Sequence, residues 1–214
     1  MTQTLDTGWA VRWLRLSAAV IAENRVALIE LDRAIGDGDH GENMDRGFSA
    51  ILEKLDAEPP ATPGAAFKLA AMTLMSKVGG AAGPLFGTAF LRAATAVGDA
   101  GELDSASLAA ALAAARDGVA ARGKAEVGEK TMIDSWTPAV DAATEAAAAG
   151  SDPAAVLAAA ATAAEAGSVS TDPLIARKGR ASYLGERAIG HRDPGSVSSA
   201  LILRAAAQAA EAGA

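Results

Sequence analysis

An all-helical fold is predicted for this chain of 214 residues. Apolar residues recur every three or four positions along most of it, as in the stripe of Trp9, Trp13 and Leu16, and this is the spacing of one helix face. No alternation of apolar and polar residues of comparable length is found. Several stripes follow a capping residue, such as Thr62 directly before Pro63. Together these signals indicate helices joined by loops.

The first four helices follow from stripes and start signals in chain order. The first carries the stripe that begins at Trp9, and the second follows an acidic, glycine-rich turn. The third begins at Pro63 and carries Phe67, while the fourth begins at Pro84 and carries Phe90. Their predicted ranges are 8–31, 42–56, 63–78 and 84–99.

The last four helices have similar start signals. Asp104 and Ser105 precede a leucine stripe, and Asp152 and Asp193 each precede a proline, which is favoured in the first turn of a helix. Their predicted ranges are 105–121, 134–149, 153–177 and 194–212. The chain is therefore expected to contain about eight helices.

Composition limits the classes of function. Half of the residues are hydrophobic, which suffices for one core, and residues 1–214 are interpreted as one domain. The formal net charge of −7 argues against a nucleic-acid partner, and the absence of cysteine excludes disulfides and fits a cytoplasmic protein. Asp6, Arg12 and Arg15 interrupt the first apolar positions, so no cleavable signal is predicted. The alanine-rich stretch 154–166 is too short for a membrane span.

Three carboxylates lie within eight residues of one another in the string LDRAIGDGDHGENMDRGF, namely Asp32, Asp37 and Asp39. Crowded carboxylates repel one another, and a divalent ion that prefers oxygen ligands removes this repulsion. The spacing does not fit an EF-hand, because Gly41 and Phe48 stand where acidic ligands belong. The residues alone also allow a simpler interpretation, in which the acids cap the next helix. A magnesium site and a capped turn are therefore both open at this level.

Glycine-rich loops form a second set of candidates. In KVGGAAGPLFGTAF, three glycines precede Pro84, so that the free N–H groups of a helix N-terminus could face an anion such as a diphosphate. The string lacks the ending of a Walker A motif, and glycine before proline also serves a sharp turn. Two further long loops carry Lys124, Lys130, Arg180 and Arg187, which could neutralise phosphate charge, although solvated surface positions are expected for most of them.

Four ordered strings identify a family. GDGDHGENMDRGF, GGAAGPLFGTAF, GKAEVGEKTMIDSWTPA and GRASYLGERAIGHRDPGS together resemble the nucleotide-binding L subunits of bacterial dihydroxyacetone kinases over essentially the whole chain. The resemblance implies an antiparallel barrel of eight helices with the nucleotide at one end. It also implies that Asp32, Asp37 and Asp39 hold two magnesium ions that bridge the phosphates of ADP or ATP. The implied nucleotide-binding positions are His40, Gly41, Glu42, Asn43, Ala81, Ala82, Gly123, Met132, Arg180, Asp193, Pro194 and Gly195.

Ala82 departs from this family, which usually has serine at the position. A hydroxyl that could donate to a phosphate oxygen is missing, at an expected cost of about 1 kcal/mol for a neutral hydrogen bond. His40 could act as a phosphate-carrying nucleophile, an acid or a structural donor, and the resemblance favours a positioning role. His191, just before the DPG turn, is interpreted as a loop-orienting residue.

The function implied by the resemblance depends on partners. In the family, dihydroxyacetone is held on a separate K subunit, and a phosphohistidine-carrying M subunit of the phosphoenolpyruvate phosphotransferase system rephosphorylates the bound ADP. No sugar-binding apparatus is recognisable in this chain. Two alternatives stay open: a subunit of an ATP-dependent kinase for another short ketose such as a tetrulose, and a nucleotide-sensing module that binds a regulator. A fatty-acid kinase domain shares the implied fold but reads DGDTG, which His40 argues against.

Overall fold

The computed structural model describes residues 4–212. Over this range it contains nine α-helices, one 3-10 segment and a pair of two-residue strands. The strands β1 (Leu5–Asp6) and β2 (Glu102–Leu103) pair antiparallel, and the 3-10 segment spans Arg180–Ala188. The α-helices are α1 (Thr7–Glu23), α2 (Arg25–Ile35), α3 (His40–Ala57), α4 (Pro63–Lys77), α5 (Ala82–Val97), α6 (Ser105–Gly123), α7 (Ile133–Ala148), α8 (Pro153–Val169) and α9 (Pro194–Glu211).

Eight of these helices form a closed ring. From α3 to α9 each helix packs on the next along the chain, α9 packs on α1, and α1 packs on α3, while α2 lies outside the ring against α3 and α9. Trp9 Nε1 donates to the carbonyl of Ala206, and Trp13 Nε1, one turn later, donates to the carbonyl of Ile202, so α1 and α9 run in opposite directions. The all-helical antiparallel barrel is therefore confirmed.

The barrel interior is filled by the predicted apolar stripes. Trp9 and Trp13 stack with ring centroids 5.3 Å apart, and Phe67 meets Trp13 edge to face at 5.3 Å. Many other buried positions are alanine, which lets helices approach closely. In the described residues no helix is both long and apolar enough to cross a membrane.

Two of the predicted helix ranges are wrong. The predicted helix 8–31 is two helices, because the chain breaks at Asn24, whose side-chain amide and main-chain N–H both donate to the carbonyl of Val20. The predicted helix 153–177 ends at Val169, and Thr171 then donates its hydroxyl to the carbonyl of Ser168. Pro173 follows and cannot continue a helix. The other six helices lie within a few residues of their predicted ranges.

The two ends of the barrel differ in how their helix N-termini are capped. The helices α1, α4, α6 and α8 begin at one end, and each receives a side-chain cap, from Asp6, Thr62, Asp104 and Asp152 respectively. The helices α3, α5, α7 and α9 begin at the other end, and of these only α9 donates a hydrogen bond to its own capping side chain. At the end where α3, α5, α7 and α9 begin, the first N–H groups of α3, α5 and α7 are therefore not bonded to a capping side chain of their own helix.

Candidate functional site

A cavity of about 700 Å³ opens at the end of the barrel where α3, α5, α7 and α9 begin. Its walls include the first residue of each of these helices, His40, Ala82, Ile133 and Pro194. The size is that of a typical small-molecule site. Four helix dipoles direct their positive ends toward this space, which favours an anionic ligand.

The aspartate cluster lies on one wall of the cavity. Asp32 comes from the last turn of α2, while Asp37 and Asp39 lie on the turn that leads into α3. One carboxylate oxygen from each of the three lies within 4.8 Å of the others, with Asp32 partly buried and the other two exposed. Oxygen ligands at this spacing suit a hard divalent cation such as Mg²⁺, so the donor set fits a metal site.

Asp32 also holds the start of α3 in place. Its Oδ2 accepts hydrogen bonds from the main-chain N–H groups of Asp39, at 2.8 Å, and His40, at 3.1 Å. Gly36 makes this possible, because a Cβ there would lie 2.1 Å from Asp32 Oδ1. The capped-turn interpretation and the metal-site interpretation are therefore not exclusive, since Asp32 caps α3 while Asp37 and Asp39 remain exposed.

The glycine loop before α5 forms the next wall. Gly83 packs so closely on the preceding turn that a Cβ would lie 2.2 Å from the carbonyl oxygen of Val78, and Gly80 has a φ of +63°. The cap position of α5 is Ala81, which offers no side-chain acceptor, so the first N–H groups of α5 lack a capping side chain. Asn43 on α3 reaches the same loop, because a Cβ on Gly79 would lie 3.1 Å from its Oδ1. These features leave room for an anion against main-chain amides.

The loop before α7 is organised by a buried acid. Asp134, which is 3% exposed, accepts hydrogen bonds from the main-chain N–H groups of Gly128 and Thr131 at 2.5 Å and 2.8 Å. Lys130 is also buried, at 1% exposure, and its Nζ donates to the carbonyl oxygens of Thr171, at 2.6 Å, and Asp172, at 3.3 Å. Lys130 therefore does not fit the expectation of a solvated surface cation. It ties this loop to the chain that follows α8.

Burial lowers the pKa of Lys130, while the nearby carboxylates Asp193, Asp172 and Asp134 raise it. Asp193 is half-buried in the cavity wall and caps α9 by accepting from the N–H of Ser196 at 2.7 Å. Burial raises the pKa of Asp193 to about 7, although the Ser196 hydrogen bond opposes this. The wall formed by the DPG turn thus carries an acid that titrates near neutral pH.

His40 is held inside the wall between α3 and α9. It is 9% exposed, and its Nε2 lies 2.9 Å from the hydroxyl oxygen of Ser198. Burial lowers the pKa of His40, while Asp32 and Asp39 raise it. A neutral imidazole beside the aspartate cluster is the state that burial favours.

A loop from α8 to α9 covers one side of the cavity. Arg180, at the start of the 3-10 segment, places Nη2 2.9 Å from Asp37 Oδ2. Leu184 and Ala188 of the same segment pack on Ile35, the last residue of α2. This loop is therefore attached to the aspartate cluster by both a charge pair and a small apolar contact.

Comparison with models of known protein families shows which family the chain belongs to. The model of the DAK2 domain matches residues 34–208, which include the aspartate cluster from Asp37, the glycine loop and the DPG turn. The chain belongs to the DAK2 domain family. The family identification made from the four sequence strings is thereby confirmed.

The chain is also similar, over most of its own length, to proteins of known name. The ADP-binding subunit DhaL of PEP-dependent dihydroxyacetone kinase 1 from Listeria innocua is 46% identical over 96% of this chain and 98% of its own length. The DhaL subunit from Escherichia coli K12 is 45% identical over 94% of this chain and 96% of its own length. The dihydroxyacetone kinase structure of C. freundii in complex with AMP-PNP and Mg²⁺ superposes with a TM-score of 0.68 at 25% identity, over 97% of this chain and 35% of that chain.

The structure brings nearly all the site residues expected of a DAK2 domain to the cavity. The residues that line it are Asp32, Asp37, Asp39, His40, Asn43, Ala81, Ala82, Gly123, Met132, Arg180, Asp193, Pro194 and Gly195. Two expected residues, Gly41 and Glu42, are not among the lining residues. Gly41 packs on α2, where a Cβ would lie 2.2 Å from the carbonyl oxygen of Arg25, and the Glu42 carboxylate pairs with the Arg25 guanidinium.

Other residues of the DAK2 domain line the cavity without having been expected there. Two are cations, Arg122 in the last turn of α6 and Lys178 just before the 3-10 segment. Lys178 Nζ lies 3.4 Å from Glu129. The basic string RKGR at 177–180 is a signal that could have pointed to Lys178 together with Arg180. Arg122 has no comparable signal, because a basic residue near a helix C-terminus is common for electrostatic reasons alone.

Proposed function

We propose that this chain is the ADP-binding subunit of a dihydroxyacetone kinase. In this proposal ADP or ATP occupies the cavity with Mg²⁺, and a phosphate passes through the bound nucleotide to dihydroxyacetone held by a partner subunit. The names of the full-length relatives support the assignment, because the chain covers nearly all of each relative. The main structural support is that the aspartate cluster and the uncapped N-terminus of α5 face one cavity.

The residues of the cavity fit the parts of a nucleoside diphosphate. The N–H groups at the start of α5 suit phosphate oxygens, and the cations Arg122, Lys178 and Arg180 lie close enough to the cavity to offset further negative charge. When bound by the aspartate cluster, Mg²⁺ would neutralise charge on the phosphates; we propose two ions, as the family resemblance implies. Met132 and Leu85 give the cavity an apolar part that suits a base.

The proposed reaction needs two further proteins. A K subunit would hold dihydroxyacetone, and an M subunit carrying a phosphohistidine would return phosphate to ADP without release of the nucleotide. The relatives named PEP-dependent or PTS-dependent kinases favour this donor. The role of this chain is then positioning and charge neutralisation, which phosphoryl transfer depends on.

A second candidate function has support from other relatives. The L-erythrulose 1-kinase of Mycolicibacterium smegmatis is 34% identical over 87% of this chain, but this chain covers only 33% of that kinase. The name of that kinase supports a four-carbon ketose as substrate, although two thirds of its length lie outside the match. A tetrulose as substrate and freely exchanging ATP as donor therefore form the alternative.

A reconstitution experiment tests the proposal. The chain, ATP, Mg²⁺ and dihydroxyacetone are mixed alone, then with the K subunit of a DhaL-type relative, then with that relative's phosphorylated M subunit. We expect no sugar phosphate from the chain alone, a single turnover with the K subunit, and sustained turnover only with the M subunit. Sustained turnover with the K subunit and excess ATP would favour the alternative. Multiple turnover by the isolated chain would refute both, and Asp37→Asn serves as the inactive control.

A further inference from the structure

The side chain of His40 links two helices that are not neighbours in the ring. His40 begins α3 and Ser198 lies in the second turn of α9, and these two helices are separated in the ring by α1. His40 Nε2 and Ser198 Oγ are 2.9 Å apart, and Ser198 is fully buried. The contact therefore joins the aspartate side of the cavity to the DPG side.

The other partner of Ser198 bears on the direction of this hydrogen bond. The hydroxyl of Ser198 also lies 3.2 Å from the carbonyl oxygen of Gly195, the kind of local acceptor to which helical serines commonly donate. A serine hydroxyl has a single hydrogen. If that hydrogen is donated to Gly195, Ser198 Oγ can only accept from His40, so the His40 proton lies on Nε2.

We propose that Ser198 is a positioning residue of the nucleotide site, which fixes the His40 ring with the proton on Nε2 and leaves Nδ1 as a hydrogen-bond acceptor. The main-chain N–H of His40 already donates to Asp32. Both donors of His40 are thus engaged within the protein. Because His40 lines the cavity, the ring nitrogen that this arrangement leaves for a ligand is the acceptor Nδ1.

This assignment changes the expected role of His40 at the site. An acceptor suits an O–H or N–H group of the ligand or of its hydration shell, and it does not suit a phosphate oxygen, which is itself an acceptor. The inference deepens the proposed function and rests on it for the nature of the ligand. The tautomer itself is a property of the chain without ligand.

Nitrogen NMR tests the tautomer directly. The chain has two histidines, so a long-range ¹H–¹⁵N spectrum contains two imidazole rings, and His191→Gln assigns the signals of His40. We expect the wild-type His40 ring to show a protonated Nε2 and an unprotonated Nδ1. Ser198→Ala should convert this pattern to a mixture of tautomers.

Ser199→Ala is the matched control, because the Ser199 hydroxyl is also buried and donates to the same Gly195 carbonyl, at 2.7 Å, but accepts from Trp136 instead of His40. We expect it to leave the His40 pattern unchanged. A protonated Nδ1 in the wild type, or identical His40 patterns in wild type and Ser198→Ala, would overturn the proposal. If Ser198→Ala does not fold, the wild-type spectrum decides the matter by itself.

Calorimetry with ADP and Mg²⁺ adds the functional readout. Loss of one positioning hydrogen bond should weaken ADP binding by about threefold to tenfold in Ser198→Ala, and Ser199→Ala should bind as the wild type does. Equal losses in both variants would indicate a purely structural role and overturn the proposal. Failure of the wild type to bind ADP would instead refute the proposed function, while the NMR result would still stand.

Discussion

Arg180 Nη2 lies 2.9 Å from Asp37 Oδ2, so the loop between α8 and α9 is tied to the aspartate cluster. The guanidinium is 70% exposed and the carboxylate 39% exposed, and an exposed pair of this kind contributes little to stability. The pair matters because it lies at the wall of the cavity. A cation that already faces the acidic cluster is placed to meet the phosphates of a nucleotide.

Arg180→Gln should therefore weaken ADP binding without destabilising the protein. Removing one exposed cation beside a phosphate should lower the affinity for ADP about threefold to tenfold. This difference between Arg180→Gln and the wild type should shrink at high salt, because salt screens the charge. Arg187→Gln is the control, since Arg187 is exposed on the same 3-10 segment but is not a lining residue of the cavity. Calorimetry at two salt concentrations measures both variants. Equal affinities for the two variants would show that Arg180 does not meet the ligand.

Replacement of the aspartates by asparagine tests the metal site. Asp37→Asn or Asp39→Asn removes an anionic ligand and should weaken magnesium-dependent ADP binding tenfold or more, about 1.4 kcal/mol. Asp32→Asn should also lower the melting temperature, because Asp32 holds the N–H groups of Asp39 and His40. Asp56→Asn, which removes an exposed charge paired with Arg15, is the control. Calorimetry with and without EDTA gives the comparison, and unchanged affinities in all three variants would rule out the site.

Ala82→Ser tests the departure from the family at the glycine loop. A hydroxyl at the first residue of α5 should slow the release of a fluorescent ADP analogue in stopped flow, because one more donor would reach the phosphates. Ala106→Ser, in the first turn of α6 at the opposite end of the barrel, should leave release unchanged. Equal or faster release from Ala82→Ser would mean that main-chain amides alone set nucleotide retention.

The stability of the protein should depend on Asp193 in a defined pH window. Its folded-state pKa is raised to about 7, above the ordinary value of 3.8, so folding is favoured while the acid is protonated. This contribution is complete below pH 4 and is lost as the pH rises toward 7. Asp193→Asn keeps a side chain that can cap α9 but does not ionise, so its free energy of unfolding should rise relative to that of the wild type as the pH increases from 4 to 7. Urea unfolding at pH 4, 5.5 and 7 measures the difference, and a constant difference would contradict the raised pKa.

Gly41 should be required for packing rather than for ligand contact. A Cβ at this position would meet the carbonyl oxygen of Arg25 at 2.2 Å, so Gly41→Ala should cost about 1–3 kcal/mol through overpacking. Gly101→Ala is the control, because its Cβ would meet nothing within 4 Å. Thermal and urea unfolding compare the two. An unaffected Gly41→Ala protein would show that α2 and α3 can separate at little cost.

Local sequence signals predicted six of the eight helix ranges to within a few residues, and the two errors have different causes. The range 8–31 was predicted as one helix because Val20 and Leu28 continue the apolar period across the break at Asn24. Periodicity records which residues face the core, and it does not record a change in helix direction. The end of α8 was detectable, since Pro173 excludes a helix that runs to residue 177.

Parts of the candidate site could be predicted from the sequence and other parts could not. The aspartate cluster and the glycine loop are each contiguous in sequence, so short strings suffice to predict them as candidate sites, although the residues alone left a magnesium site and a capped turn both open. Contacts over long separations cannot be deduced from such strings. Examples are the His40–Ser198 hydrogen bond and the burial of Lys130 against the carbonyls that follow α8. A lysine in a glycine-rich loop gives no sign that its ammonium group is enclosed.

The opposite directions of α1 and α9 bring both ends of the described chain to one place. Arg12 Nε donates to the carbonyl of Ala209, so the start of α1 lies beside the end of α9, at the end of the barrel away from the cavity. A second polypeptide fused at either terminus, or a purification tag, would therefore leave the mouth of the cavity open to a docking protein. The dihydroxyacetone kinase of C. freundii matches this chain over only 34% of its own length, and a domain whose two ends lie together, away from its cavity, can be joined to further chain without covering the cavity.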